Sequence, residues 1–194
     1  MNRTIKLLML SDIFVLTGFG LIDPILGIYL NENLIGGTIF SAGLASAIFL
    51  ITKSLIQLPF SKIIDKYGDL SDLKWLIIGT FFVAVVPFLY IFAVNIYWIY
   101  IAQFLYGVGS GLAYPSWLGL WSTHLDKKRE SFEWSFYSTI VGIGTAISAA
   151  IGGALAQFVG FTTTFAVVGI LALFGCYILI QLRYSHKPAR ILKL

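Results

Sequence analysis

Long apolar runs separated by short charged breaks are the feature that most constrains how this chain folds. Of its 194 residues, 58% are hydrophobic and only 11% are charged, whereas a soluble domain has about 25% charged residues. A bilayer core about 30 Å thick requires about 20 predominantly apolar residues per spanning helix. We therefore expect an all-α integral membrane protein, with room for about six spans and none for a separate soluble catalytic domain.

The apolar runs predict six transmembrane helices, each bounded by polar or charged residues. Their predicted ranges are residues 7–30, 37–59, 75–93, 97–121, 132–157 and 163–183. The first is expected to be a retained helix, because it is too long for a signal peptide and lacks a small-residue cleavage site. Residues 1–185 are thus predicted to form one six-helix bundle, and residues 186–194 a basic cytoplasmic tail.

The basic residues predict the orientation of these spans. Twelve of the 13 Lys and Arg residues fall in the terminal segments and in the second and fourth breaks, which lie on one side of six spans. Basic residues near span ends remain cytoplasmic, so both termini are predicted to be cytoplasmic and the cell (inner) membrane is the expected location. The net charge of +4 then reflects topology and not nucleic-acid binding, although the tail is expected to attract anionic lipid weakly.

Three charged residues, Asp12, Asp23 and Lys53, lie well inside predicted spans. Each costs on the order of 2.5–3.5 kcal/mol to insert unless it is paired or hydrated. Asp12 and Asp23 share one face of the first helix, about 16 Å apart along its axis. In an antiparallel hairpin Asp12 lies near the height of Lys53, so the two are expected either to form a structural ion pair or to act in transport.

Asp23 has a different setting, because Pro24 follows it and no basic residue is within easy reach. Proline removes a backbone donor and tends to distort a helix. A carboxyl group there is expected to bind and release a proton during a transport cycle. The alternative is a neutral aspartic acid bonded to a freed backbone carbonyl.

Polar and aromatic residues recur along one face of the fourth predicted span at steps of three and four. They are Gln103, Tyr106, Ser110, Tyr114, Trp117 and Trp121. Such a face suits a cavity wall that stacks on and hydrogen-bonds to an organic solute. The alternative is an aromatic belt at the membrane interface, which is strongest for Trp121 and weaker for Ser110 and Gln103 in mid-span.

Small residues form a second pattern, in the fifth predicted span. Gly144, Ser148 and Gly152 follow at steps of four, with Gly153 beside them. Small residues at this spacing let helix backbones approach closely. The pattern therefore predicts tight helix packing, which by itself needs no transport function.

The break between the second and third predicted spans resembles the loop signature of the major facilitator superfamily of secondary transporters, Gly-x-x-x-Asp-Arg-x-Gly-Arg-Lys. The residues that carry the resemblance are Ser61, Asp65, Lys66 and Gly68. The aspartate and glycine match the signature, the lysine keeps its charge and the serine replaces its first glycine. Asp69 and Leu70 stand in place of its basic pair.

Two later segments are similar to further signatures of the same family. Gln103–Gly109 resembles the fourth-helix pattern Arg-x-x-x-Gly-x-Gly, with Gln103 in place of the arginine linked to proton coupling. Gly144–Gly153 resembles the fifth-helix antiporter pattern Gly-x-x-x-Gly-Pro-x-x-Gly-Gly, with Ser148 and Ala149 in the Gly-Pro places. Three matches in this order resemble the amino-terminal six-helix half of the family and specify no substrate.

The resemblance implies alternating access, in which two six-helix bundles rock about a cavity lined mainly by the first and fourth helices of each. One bundle has no opposing wall. The expected partner is therefore a second copy, in a homodimer about an axis along the membrane normal, or a second half-size protein. The resemblance then implies that Asp65 lies near the cytoplasmic start of the facing fifth helix, around residues 131–134, where it locks one state.

The predicted function is a half-size secondary transporter: a proton-coupled carrier or antiporter of a small organic solute, working in the lipid bilayer. Size and span count also fit a substrate-binding membrane subunit of an ATP-driven importer, although the loop signature at Asp65 disfavours it. A half bundle that folds without transporting is a further alternative.

The sequence predicts no enzyme. An intramembrane serine protease is disfavoured because Val108 occupies the glycine position two residues before Ser110, and because His124 and His186 fall in predicted cytoplasmic segments. Cys176 is the only cysteine, so the chain can form neither an internal disulfide nor a cysteine metal site. No cofactor and no metal are expected.

Overall fold

The computed structural model of the chain describes residues 2–185 as seven α-helices joined by short turns. The helices are α1 (Arg3–Gly20), α2 (Leu26–Asn33), α3 (Ile39–Ile64), α4 (Asp69–Ile91), α5 (Ile96–His124), α6 (Glu130–Phe158) and α7 (Phe161–Ser185). This confirms the all-α class. The predicted basic tail, residues 186–194 with His186, lies outside the described residues.

The helix ends follow from local chemistry. Thr38 and Ser41 cap α3 reciprocally, because each side chain accepts a hydrogen bond from the backbone N–H of the other, at 3.0 and 2.7 Å. The side chain of Asn95 caps α5 by accepting from Tyr97 N–H at 3.1 Å. Gly160, with φ of +99°, makes the tight turn between α6 and α7.

Within residues 2–185, four helices are long and apolar enough to cross a membrane: α3, α4, α6 and α7. Helix α5 has 29 residues, ample length for a span, but glycine, tyrosine, tryptophan and glutamine dilute its apolar character. The first predicted span is divided between α1 and α2. A multi-pass membrane fold fits these helices, while the count of six spans and the cytoplasmic termini stay predictions.

The prediction of one helix over residues 7–30 is wrong at residues 21–25. There the backbone tightens into turns: Leu21 N–H donates to Gly18 O at 3.1 Å and Ile22 N–H donates to Phe19 O at 2.9 Å. Pro24 has no N–H to donate, so it cannot continue the helical ladder. The chain leaves α1 at this break and resumes as α2.

The break between the second and third predicted spans is also shorter than the span ranges 37–59 and 75–93 imply. Helix α3 continues to Ile64 and α4 begins at Asp69. Charged residues are compatible with a helix that extends beyond the hydrocarbon core, because only the apolar part must meet lipid. Only residues 65–68 remain as the connection.

Helices α1, α4, α5 and α7 provide most of the buried residues. Helix α4 packs between α5 and α7, α5 also packs against α3, and α1 packs against α6 and α7. Two apolar clusters result. One includes Phe19, Tyr90 and Phe165; the other, near the opposite ends of the same helices, includes Leu8 and Trp121.

Helices α3 and α6 lie at the periphery of the bundle and expose large apolar side chains. Leu55 and Leu58 of α3 are 70% and 67% exposed, and Ile143 and Ile147 of α6 are 58% and 56% exposed. Surfaces of this kind require a lipid or protein neighbour. These two faces are therefore where the bundle meets the membrane or another bundle.

Candidate functional site

A cavity of about 290 Å³ lies between the two apolar clusters, with walls from α1, α3, α4, α5 and α6. Its lining is mostly apolar and aromatic. The polar side chains in the lining include Asp12, Lys53, Ser110, Tyr114 and Tyr137. An apolar pocket with a few convergent polar groups is the usual form of a small-molecule site.

Asp12 of α1 is bound across the cavity by Tyr137 of α6, whose hydroxyl donates to Asp12 Oδ2 at 2.7 Å. Sequence reasoning missed Tyr137. It lies seven residues before Gly144 and so shares the face of the small-residue pattern, which is the one signal that could have drawn attention to it. The contact adds a hydrogen bond to the packing of α6 against α1.

Lys53 of α3 faces the same cavity, and its Nζ lies 4.9 Å from the ring centroid of Tyr114. A close helix crossing positions it, because a Cβ at Gly111 of α5 would stand 3.1 Å from the Lys53 carbonyl oxygen. Within residues 2–185, Asp12 and Lys53 line one cavity without forming an ion pair. Each contacts an aromatic side chain instead, so the expected pair is not formed in this structure.

Most of the face predicted on the fourth span lines the cavity: Tyr106, Ser110, Tyr114 and Trp117. Gln103 does not. It is buried in the apolar cluster, where its Nε2 donates to the Tyr90 hydroxyl at 3.1 Å. Trp121 is also buried, and it stacks on Trp117 at a centroid distance of 4.9 Å.

Aromatic rings form a flat wall on one side of the cavity. Tyr106 stacks on Phe49 at a centroid distance of 4.3 Å and an interplanar angle of 25°. Phe19, which does not line the cavity, also stacks on Tyr106, at a centroid distance of 4.9 Å. Stacking of this kind fixes the rings against one another, so this side of the cavity is rigid and aromatic.

Asp23 lies at the break between α1 and α2, where its side chain is exposed, and it is not part of the cavity lining. Its backbone N–H donates to Phe19 O at 3.0 Å. The two aspartates are therefore in different settings, one in the cavity and one at the break. Their roles in proton binding stay predictions.

The small residues of α6 meet the first span. A Cβ at Gly144 would lie 2.6 Å from the Thr17 methyl group, and a Cβ at Gly152 would collide with the Leu21 carbonyl. Ser148 between them is half-buried, whereas Gly153 faces open space. Glycine at 144 and 152 thus allows α6 to approach α1 and the break that follows it.

The residues of the loop signature close α3 and start α4. Ser61 Oγ donates to Leu58 O at 2.9 Å, and the backbone N–H of Asp65 donates to Ser61 O at 3.0 Å. Gly68 precedes α4, and its carbonyl accepts from Ser71 N–H at 2.8 Å. The side chains of Asp65 and Lys66 are exposed.

Asp69, which replaces a basic residue of that signature, contacts the end of α5. Its Oδ2 lies 3.5 Å from Nε2 of His124. In the part of the chain that the structure describes, no group of three or more His, Cys, Asp or Glu side chains is arranged to hold a metal ion. The chemistry available at the cavity is therefore that of one carboxyl group, one ammonium group, hydroxyl groups and aromatic rings.

Comparisons with known proteins agree with this arrangement. The chain is 26% identical over 191 residues to the quinolone resistance protein NorA of Staphylococcus aureus, covering 97% of this chain and 47% of NorA. It is 25% identical over 179 residues to the uncharacterized MFS-type transporter MJ1560 of Methanocaldococcus jannaschii, covering 92% and 45%. The proton-coupled antiporter flippase LtaA of Staphylococcus saprophyticus is 29% identical over 109 residues, covering 54% and 26%.

The chain spans less than half the length of each of these relatives. The family model of the Major Facilitator Superfamily matches residues 8–193, almost the whole sequence. A superfamily of transporters also agrees with the expectation that the chain is not an enzyme. Apolar helices, a cavity with a few polar groups between them and this match lead to one conclusion: the chain is a multi-pass membrane protein that belongs to the Major Facilitator Superfamily.

Proposed function

We propose that this chain is a half-size secondary transporter that moves a small organic solute across the cell membrane by proton-coupled alternating access. The observation that carries the proposal is Asp12, a carboxyl group on the wall of an aromatic cavity inside the bundle. An ionisable group within a membrane domain is a functional site by default, because its insertion is costly. The name of LtaA, a proton-coupled antiporter flippase, gives the same coupling to a relative.

Asp12 binds the proton in this proposal, and its hydrogen bond with Tyr137 links its protonation state to the packing of α6. The Tyr137 hydroxyl donates to Asp12 Oδ2 at 2.7 Å and so joins α6 to α1. A hydrogen bond to a charged group contributes about 1.5–3 kcal/mol, against about 0.5–1.5 kcal/mol between neutral groups. Protonation of Asp12 therefore weakens the link and shifts the balance between positions of α6.

Asp23 is the second candidate for proton binding. It lies on the first span, eleven residues after Asp12, at the break before α2. A carboxyl group at such a break has backbone carbonyls and water as partners. The experiment below compares the two aspartates directly.

A partner bundle completes the transporter. A single bundle has no opposing wall against which to alternate, and the exposed apolar faces of α3 and α6 flank the cavity. We propose that a second copy covers these faces, with a two-fold axis along the membrane normal, both termini in the cytoplasm and Asp65 near the start of the facing α6. A second half-size protein is the alternative partner.

Transport is tested with the full chain in liposomes that carry a pH gradient. The probes are 2-naphthoate, 2-naphthamide and 2-naphthylmethylamine, and protein-free liposomes measure passive permeation. We expect the wild type to move at least one probe in response to the gradient, and Asp12→Asn to lose the response while still exchanging probe. Asp23→Asn is expected to keep it.

If Asp23→Asn alone loses the response to the pH gradient, the proton site is Asp23, at the break between α1 and α2, and not Asp12. Absence of gradient-driven movement for all three probes would contradict the proposal and favour a non-transporting bundle. The dimer has a separate test, because Cys176→Ser removes the only cysteine. On that background, cross-linking is expected for Leu55→Cys and Ile147→Cys but not for Ile170→Cys, a 61% exposed position on α7.

A further inference from the structure

Lys53 brings a positive charge into the cavity without an acceptor for it. Its side chain is half-buried, and its contact is the face of the Tyr114 ring, 4.9 Å from Nζ. Among residues 2–185, no carboxylate lies within ion-pair distance of Nζ and no oxygen accepts a hydrogen bond from it. An ammonium group carries three donors, so the cavity presents donors that a ligand can satisfy.

The one carboxylate on the cavity wall is engaged elsewhere. Asp12 Oδ2 accepts the hydrogen bond of Tyr137 at 2.7 Å, on the α1–α6 side of the cavity. Oδ1 of Asp12 is not part of that bond and could accept from an amine, but an amine in the cavity would bring a second positive charge beside Lys53. An acid would meet the unused donors of Lys53 instead, so the charge arrangement favours an anionic group.

The rest of the lining favours a ring. Phe49 and Tyr106 line the cavity and stack on each other at a centroid distance of 4.3 Å, and Tyr114 and Trp117 line it further along α5. Aromatic faces bind planar apolar groups in offset or edge-on arrangements. The volume of about 290 Å³ is at the small end of ligand sites, which span about 300–1,000 Å³. One ring or two fused rings suit it.

We propose that the solute bound in this cavity is a compact aromatic carboxylate, with its carboxylate on Lys53 and its ring against the aromatic wall of α3 and α5. The proposal rests on the proposed function in that it names the solute class of the same cavity. It makes Lys53 a specificity residue and leaves the proton role to Asp12. A carboxylate on Lys53 would also give a role to a lysine in the middle of α3, whose other basic residue, Lys62, lies in the last turn.

Binding is measured by calorimetry on the full chain in nanodiscs of zwitterionic lipid, so that anionic headgroups do not compete for Lys53. Three ligands share one ring system: 2-naphthoate, 2-naphthamide and 2-naphthylmethylamine, and acetate lacks the ring. We expect naphthoate to bind on the order of tenfold more tightly than the amide, because charge-assisted hydrogen bonds are the stronger ones. Acetate and the amine are expected to bind more weakly still.

Variants of one helix assign the effect to one residue. Lys53→Met should lower naphthoate affinity to that of the amide and leave amide affinity unchanged, and Lys53→Arg should restore the preference for the acid. The matched control is Lys62→Met, at an exposed position near the end of α3 outside the cavity, which should change nothing. Since a variant can fail to fold, the ligand-dependent rise in thermal stability of the wild type repeats the comparison without any substitution.

Amide or amine affinity equal to or above that of naphthoate overturns the proposal, as does a naphthoate preference that survives in Lys53→Met or no binding at all. These outcomes are distinct from failure of transport. Binding that depends on Lys53, with no gradient-driven movement in liposomes, leaves the solute class standing and removes the transport function. Gradient-driven movement of another probe, with no preference for naphthoate, supports the transport function and removes the proposed solute class.

Discussion

Replacing Tyr137 by phenylalanine is the most direct test of the link between α1 and α6. The change removes one hydroxyl, which donates to Asp12 Oδ2 at 2.7 Å. It keeps the ring, which packs on Trp117 and Trp121 at centroid distances of 5.3 and 4.9 Å. The variant therefore isolates one hydrogen bond and creates no cavity.

The expected magnitude follows from the location of the bond. Interhelical hydrogen bonds in membrane proteins average about 0.6 kcal/mol and reach about 1.7 kcal/mol. The bond to Asp12 is short and has a carboxyl acceptor, so the upper part of this range applies. We expect Tyr137→Phe to lower the free energy of unfolding by about 1–1.7 kcal/mol.

The assay is reversible unfolding in detergent micelles, followed by tryptophan fluorescence and circular dichroism. A double-mutant cycle combines Tyr137→Phe with Asp12→Leu, which removes the acceptor, and the coupling between them should equal the loss in Tyr137→Phe alone. Asp12→Asn keeps an acceptor but no charge and should retain part of the coupling. Additivity of the two substitutions within about 0.3 kcal/mol would refute the link.

Two further predictions concern packing. Gly152→Leu should destabilise the bundle by at least about 1–3 kcal/mol, because a Cβ there collides with the Leu21 carbonyl. The control Gly153→Leu, at a position that faces open space, should change stability by less than about 0.5 kcal/mol. Equal effects of the two substitutions in the same unfolding assay would contradict the close approach. Gln103→Leu removes the hydrogen bond to Tyr90 and should lower the free energy of unfolding by about 1 kcal/mol. Naphthoate affinity should stay unchanged. A loss of that affinity would place Gln103 in the solute site.

The helices were predictable because a lipid-spanning segment must be apolar over its whole length. Each predicted run overlaps an observed helix or, for the first run, a pair of helices. The break at residues 21–25 was not predictable in its extent. Pro24 indicates a distortion, but the close contact between Leu21 and Gly152 comes from a helix more than a hundred residues away. Local sequence contains no information on that neighbour.

The candidate site divides in the same way. The period of an α-helix was sufficient to group Tyr106, Ser110, Tyr114 and Trp117, since residues three and four apart share a face, and all of them line the cavity. Gln103 continues that face, yet the cavity ends before it, and Gln103 meets Tyr90 in the core. The periodicity of a sequence predicts which side chains share a face of the helix. It does not predict how far along that face a cavity extends.

The contacts of α6 connect the cavity to the surface where we propose the partner. Helix α6 approaches the first span at three heights: Tyr137 bonds to Asp12, Gly144 meets Thr17 and Gly152 meets the break at Leu21. An adjoining face, with Ile143 and Ile147, is exposed. In the proposed cycle, a proton gained or lost at Asp12 changes the contact near the start of α6, while the glycine contacts hold further along the helix. We therefore expect α6 to pivot instead of sliding, which would move its exposed face against the proposed partner. In a homodimer the same event in each copy would act on both sides of the interface, so that Asp12 of each chain would couple proton binding to the opening of a shared cavity.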